Sequence, residues 1–174
     1  MTESFAEILA VGGKSNSLGR TSEVIDLVLR EKEKLGELYS CVFNDDAWVR
    51  MRAIDAVEKV CRQHPDWLLP YVDKFQSELA SSSQPSIQWH LAQIYSQVDL
   101  TEQQKQIAIN WLKDRLSTTD VDWIVAANAM QTLLEFTHDG SVLKKDIIPL
   151  FKLQQKHHSK SVVKRANKFL DELI

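Results

Sequence analysis

The residues of this chain that could carry chemistry are few, and each must first be tested against its neighbours. "AVGGKSNSLGR", Ala10 to Arg20, contains Gly13-Lys14-Ser15, the closing triplet of a phosphate-binding loop. Such a loop needs another glycine five residues earlier, where this chain has Ile8, and it must follow a buried β-strand. The passage therefore reads as a connector between an N-terminal helix, about Glu3 to Leu9, and one that starts at Thr21 or Ser22 with that residue as its N-cap. Four of the five histidines sit at expected helix ends or turns: His64 before Pro65, His138 before Asp139-Gly140, and the adjacent His157 and His158. Solvated or capping imidazoles are expected there, because neighbouring residues point in different directions and make no natural metal-binding pair. Cys41 and Cys61 lie inside apolar helical patterns, which offers neither a disulfide framework nor a cysteine-rich zinc site. No catalytic serine or cysteine signature frames the remaining nucleophiles. We expect no enzyme, no cofactor and no metal.

Composition sets the outer bounds. A chain of 174 residues with 44% hydrophobic and 26% charged residues supports one folded domain, taken as 1–174. No apolar run approaches the roughly 20 residues that span a bilayer. The start, "MTESFAEILAVGG", carries acids where an export signal needs a basic region. A cytoplasmic location without membrane contact is the expectation. The net charge of −3 hides a polarity. Lys144 to Lys168 holds eight Lys or Arg against one acid, Asp146, a local net of +7, while the rest of the chain has 13 basic and 23 acidic residues, net −10.

The elements that position these residues emerge from a repeat. Period-2 alternation is nearly absent. Four segments, "WVRMRAIDAVEKV", "SIQWHLAQIYSQV", "IVAANAMQTLLEF" and "SVVKRANKFLDEL", align on Val49, Ile87, Val125 and Val162, spaced 38, 38 and 37 residues apart. Apolar or small residues return four, seven and eight positions later, which traces one face of an α-helix each time. Before each lies another amphipathic stretch: "LGELYSCVF", "DWLLPYVDKFQSEL", "TEQQKQIAINWLKDRL" and "SVLKKDIIPLFKLQ". Thr101 and Gln104 supply a capping box for the third of these. The predicted fold is all-α, built from four helical hairpins that stack to bury a shared core.

In period, in "DDAWVRMRAIDAVEKV" with Asp46 and Arg52, and in the first-helix prolines Pro70 and Pro149, the chain resembles the HEAT-repeat family. The resemblance covers Lys34 to Ile174, with 1–33 as N-terminal helices and a Gly/Ser loop. His90, Asn128 and Arg165 replace Arg52 in later repeats, so the family's arginine ladder is incomplete. The resemblance implies a right-handed α-α superhelix and a binding role rather than a reaction. The helix face opposite the apolar stripe would line the concave surface and offer Met51, Ile54, Trp89, Gln93, Met130 and Gln131 to a protein or peptide partner. Packing between repeats is the competing account of the apolar members of that set. Nucleic acid is the alternative partner, held by Lys156, Lys160, Lys164, Arg165 and Lys168. The alkylpurine DNA glycosylases have a similar architecture, but this chain is shorter, acidic overall and without a basic groove across successive repeats.

Overall fold

The computed structural model describes residues 3–14 and 16–174. Among these the chain is all-helical, with no strand. It falls into two compact units, Met1–Leu69 and Pro70–Ile174.

In the first unit, α1 (Phe5–Ala10) begins at Ser4, whose side chain and that of Glu7 cap each other's backbone N–H groups. The Ser4 backbone and hydroxyl groups hold the Glu7 carboxyl below its ordinary range. Helix α2 (Thr21–Arg30) starts with Arg20 as its N-cap. Thr21 is already inside the helix, and its hydroxyl donates back to the Leu18 carbonyl, so the expected Thr/Ser cap is corrected. After a 3₁₀ turn at Lys32–Lys34 come α3 (Leu35–Cys41) and α4 (Ala47–Gln63). Asp46 caps α4 by accepting from the Trp48 N–H at 2.8 Å. Helices α1, α2 and α3 all pack on α4. Central placement explains why Arg52 through Glu58 are buried in an unbroken run, right around the helix.

In the second unit the stretch expected as one helix from Asp66 is divided. A 3₁₀ helix at Pro65–Tyr71, which crosses the boundary between units, leads to α5 (Val72–Lys74) and a π-helical turn at Phe75–Leu79. Pro70 cannot donate a backbone hydrogen bond, which disfavours a continuous α-helix at that point. The remaining helices are α6 (Pro85–Gln97), α7 (Glu102–Arg115), α8 (Trp123–His138), α9 (Lys144–Gln154) and α10 (Lys160–Leu173). The capping box of Thr101 and Gln104 is present at α7. Asp122 caps α8 by accepting from the Ile124 N–H at 2.9 Å.

Helix α8 is the centre of this unit and touches α6, α7, α9 and α10. Thr132 ties it to α6 by donating to the Ala92 carbonyl at 2.8 Å. Two side chains at the end of α9 fasten the turn between α7 and α8. Buried Gln154 donates to the Leu116 and Thr118 carbonyls at 3.0 and 2.9 Å. His157 bonds the Val121 carbonyl through Nε2 at 2.8 Å and accepts the Ser159 N–H on Nδ1 at 3.0 Å. His157 is only 5% exposed, so of the two expected roles, solvated or capping, it takes the capping one. The turn it closes has carbonyls that no helix satisfies, and the imidazole supplies the missing donor.

Candidate functional site

The equivalent residues Arg52, His90, Asn128 and Arg165 show how the hairpins differ. Arg52 is buried, and its guanidinium donates to the carbonyls of Leu9 (2.6 Å), Ser17 (2.9 Å) and Gly12 (3.0 Å). It clamps the glycine-rich loop from below. A phosphate-binding loop converges backbone N–H groups on an anion, whereas here carbonyls converge on a cation, so this loop has the opposite polarity. Ser15 of the Gly-Lys-Ser triplet lies outside the described residues. His90 and Asn128 bond back to the carbonyls one turn earlier, those of Ser86 (2.6 Å) and Ile124 (2.8 Å). Arg165 alone turns outward, with its guanidinium carbon 5.9 Å from the centre of the Phe169 ring.

The expected partner-binding stripe divides on burial. Ile54 and Met130 are fully buried and present no surface to a partner, a correction to their expected place on an exposed face. The physical reason is that α4 and α8 are central helices, covered on more than one side. Met51, Trp89, Gln93 and Gln131 are half-buried. Trp89 lies against the His90 ring at 3.5 Å between centroids, and Gln93 donates to the Asn128 side-chain oxygen at 3.0 Å. Gln131 keeps a different neighbourhood, because it borders α10.

Helix α10 buries Val162, Ala166, Phe169, Leu170 and Leu173, one apolar face against α8 and α9. Its other face carries exposed Lys160, Lys164, Arg165 and Lys168; Lys156, just past the end of α9, is exposed as well. Lysines four residues apart lie one above another, so the three on α10 run along about 12 Å of helix. None of the five cations forms an ion pair among the described residues. Lys164, Arg165 and Lys168, together with Ser161, Phe169 and Gln131 of α8, line one open groove of about 350 Å³. The structure thus joins one residue of the expected protein-binding set to three of the expected anion-binding set. Sequence spacing could not pair them, since Gln131 and Lys164 meet only through the packing of α8 on α10.

The charges on α10 run against its own dipole. Cations crowd the N-terminal half, no acid stands in the first turn and no base in the last, where Asp171 and Glu172 lie instead. A helix N-terminus carries partial positive charge and its C-terminus partial negative charge, so the charges in the end turns, Lys160, Asp171 and Glu172, cost about 0.3–1 kcal/mol each. The arrangement favours an anion beside the helix. Three carboxylates border the groove without lining it: Glu135, a turn along α8, accepts from Gln131 Nε2 at 2.9 Å, and Asp171 and Glu172 stand one helical turn beyond Lys168.

A larger cleft of about 690 Å³ lies among the turns of the second unit, with Asp114, Arg115, Asp120, Asp122, half-exposed Trp123 and His158 in its walls. Its charges are largely used internally. Arg115 pairs with Asp114 and Asp122 caps α8. Among the described residues no group of three or more His, Cys, Asp or Glu side chains is placed to hold a metal ion. No helix there is long and apolar enough to cross a membrane.

No curated protein and no solved structure matches this chain. A family model described as a HEAT repeat domain matches residues 14–118, more than half of the sequence, so the α10 groove lies C-terminal to the matched span. With helical hairpins observed throughout the described residues and this match over most of the first three, the chain belongs to the HEAT-repeat family.

Proposed function

We propose that this HEAT-repeat protein is a non-enzymatic scaffold that holds an acidic segment of a partner protein along α10. HEAT repeats are typically protein-interaction scaffolds, which gives the general role. The observation that carries the finer reading is the groove itself, in which three cations without ion-pair partners among the described residues stand beside the uncharged wall of Gln131. Charge complementarity would steer and orient an acidic segment. A long nucleic-acid duplex is the weaker fit. Eight of the 12 basic residues of 70–174 lie from Lys144 onward, while the turn from α7 to α8 carries Asp120 and Asp122, which would repel a phosphate backbone.

The test is fluorescence anisotropy with a short labelled Glu/Gly peptide and the full chain. Binding should weaken as salt rises and should disappear in the double variant Lys164→Glu/Lys168→Glu, whose melting transition should stay close to that of the parent. Equal binding by parent and variant, or none at low salt, would sink the proposal. Preferential capture of duplex DNA would assign the groove to nucleic acid instead.

A further inference from the structure

We infer that the anion seated in the α10 groove is a phosphoryl group on the partner's acidic segment, a phosphoserine or phosphothreonine flanked by carboxylates. The inference rests on the scaffold reading above and specifies its ligand. A carboxylate brings one negative charge and two acceptor oxygens, whereas a phosphoryl ester brings a charge of about −1.5 to −2 and three strong acceptors. The groove gathers Lys164, Arg165 and Lys168 within two helical turns, with no ion-pairing carboxylate among the described residues. That concentration matches a multiply charged ligand better than a single carboxylate.

The donors also match in kind. Arg165 lies over the Phe169 ring, which restrains the guanidinium and leaves its N–H fork available for two parallel bonds to oxygen. Lys164 and Lys168 flank it as point charges, and Ser161 adds a hydroxyl that so far meets only the Ser159 hydroxyl at 3.0 Å. One N–H of the Gln131 amide is engaged by Glu135, so the wall offers the anion only the second N–H of that amide.

The same groove argues against a nucleotide as the source of the phosphate. Single-stranded nucleic acid is held by bases stacking on exposed aromatic rings. Among the described residues the one aromatic ring lining this groove, Phe169, is 4% exposed and lies beneath Arg165. A phosphorylated peptide asks for no such platform.

The experiment compares two Glu/Gly peptides that differ at one central position, phosphoserine in one and glutamate in the other, titrated against the full chain, Arg165→Lys and Lys164→Glu/Lys168→Glu. The phosphopeptide should bind the parent about tenfold more tightly, the gain expected of the extra charge and acceptor. Arg165→Lys keeps the charge and removes the fork, so it should weaken the phosphopeptide about fivefold and the glutamate peptide less than twofold. The double reversal should lose both, with the circular dichroism spectrum of each variant confirming the helical fold. Equal affinity for the two peptides would overturn the phosphoryl assignment and leave the acidic-segment reading standing. Binding of neither would overturn both. Tighter binding of single-stranded DNA than of the phosphopeptide would overturn the assignment in favour of nucleic acid.

Discussion

Arg52 replaces water around the guanidinium with three carbonyls, that of Leu9 at the end of α1 and those of Gly12 and Ser17 in the loop, and the loop accepts this geometry because glycines turn its backbone where other residues resist. Gly19 shows how tight the fit is. With φ at +49°, a Cβ there would stand 2.7 Å from the Gly12 carbonyl oxygen, 2.9 Å from that of Val11 and 3.2 Å from the Arg52 guanidinium carbon. Gly19→Ala should lower stability by about 2–3 kcal/mol in urea unfolding, from left-handed strain plus the clash. Gly140 is the control: φ is +79° but nothing lies within 4 Å, so Gly140→Ala should cost only about 1 kcal/mol. Arg52→Leu leaves the three carbonyls without their donor, and a loss of about 3 kcal/mol is expected from the same measurement. The sequence marked Arg52 by its place early in a second helix. Its partners were not legible, because carbonyl direction in the loop depends on backbone angles that no residue pattern states. The two thiols make a separate prediction. Burial pushes Cys41 up to about 11 and Cys61 up to about 12, helped by Glu37 and Glu58 respectively. The folded state therefore favours the neutral thiol, so this contribution to stability holds below the ordinary thiol range and is lost as pH rises above it. A thiol reagent at pH 8 should label both cysteines only after denaturant is added.

The four second helices were legible as α4, α6, α8 and α10 because their apolar spacing survives packing unchanged. What spacing could not reveal was how much of each circumference would be covered. Ile54 and Met130 lie opposite the apolar stripe of their helices, yet α4 and α8 are buried there too. Helix α10 keeps a wholly polar outer face, and there the expected anion-binding residues remain exposed. The first helix of the second hairpin failed as a single α-helix because Pro70 falls in its interior, whereas α9 includes Pro149 without a break in its span. The inverted charge order of α10 leads to a test in which stability and binding move apart. Lys160→Glu places an acid in the first turn, which should raise stability by about 0.5–1 kcal/mol in thermal unfolding. The same substitution should weaken capture of the acidic peptide, since it brings a negative charge to the cationic row. A fall in stability would show that Lys160 has a packing role that its exposure does not suggest.

Charge is unevenly shared along the chain. Residues 1–69 carry nine basic and 12 acidic residues, net −3, while residues 70–174 carry 12 of each. Within the second set the bases gather after Lys144 and most of the acids precede it. A protein with a sequence pI near 6.0 should therefore stay on a heparin column at pH 7 and low salt, and Lys164→Glu/Lys168→Glu should pass through it. The polarity was visible from residue counts alone; that it would form one groove with Gln131 was not, because that depends on which helices become neighbours. The Arg52 clamp also sets an order in time. Its acceptors lie 35 to 43 residues before it, so a ribosome releases Leu9, Gly12 and Ser17 well ahead of the side chain that will hold them. During that interval those carbonyls have water in place of the guanidinium. A substitution that slows the emergence or closure of α4 would thus be felt first as proteolysis between Val11 and Gly19, while the finished protein would show no defect.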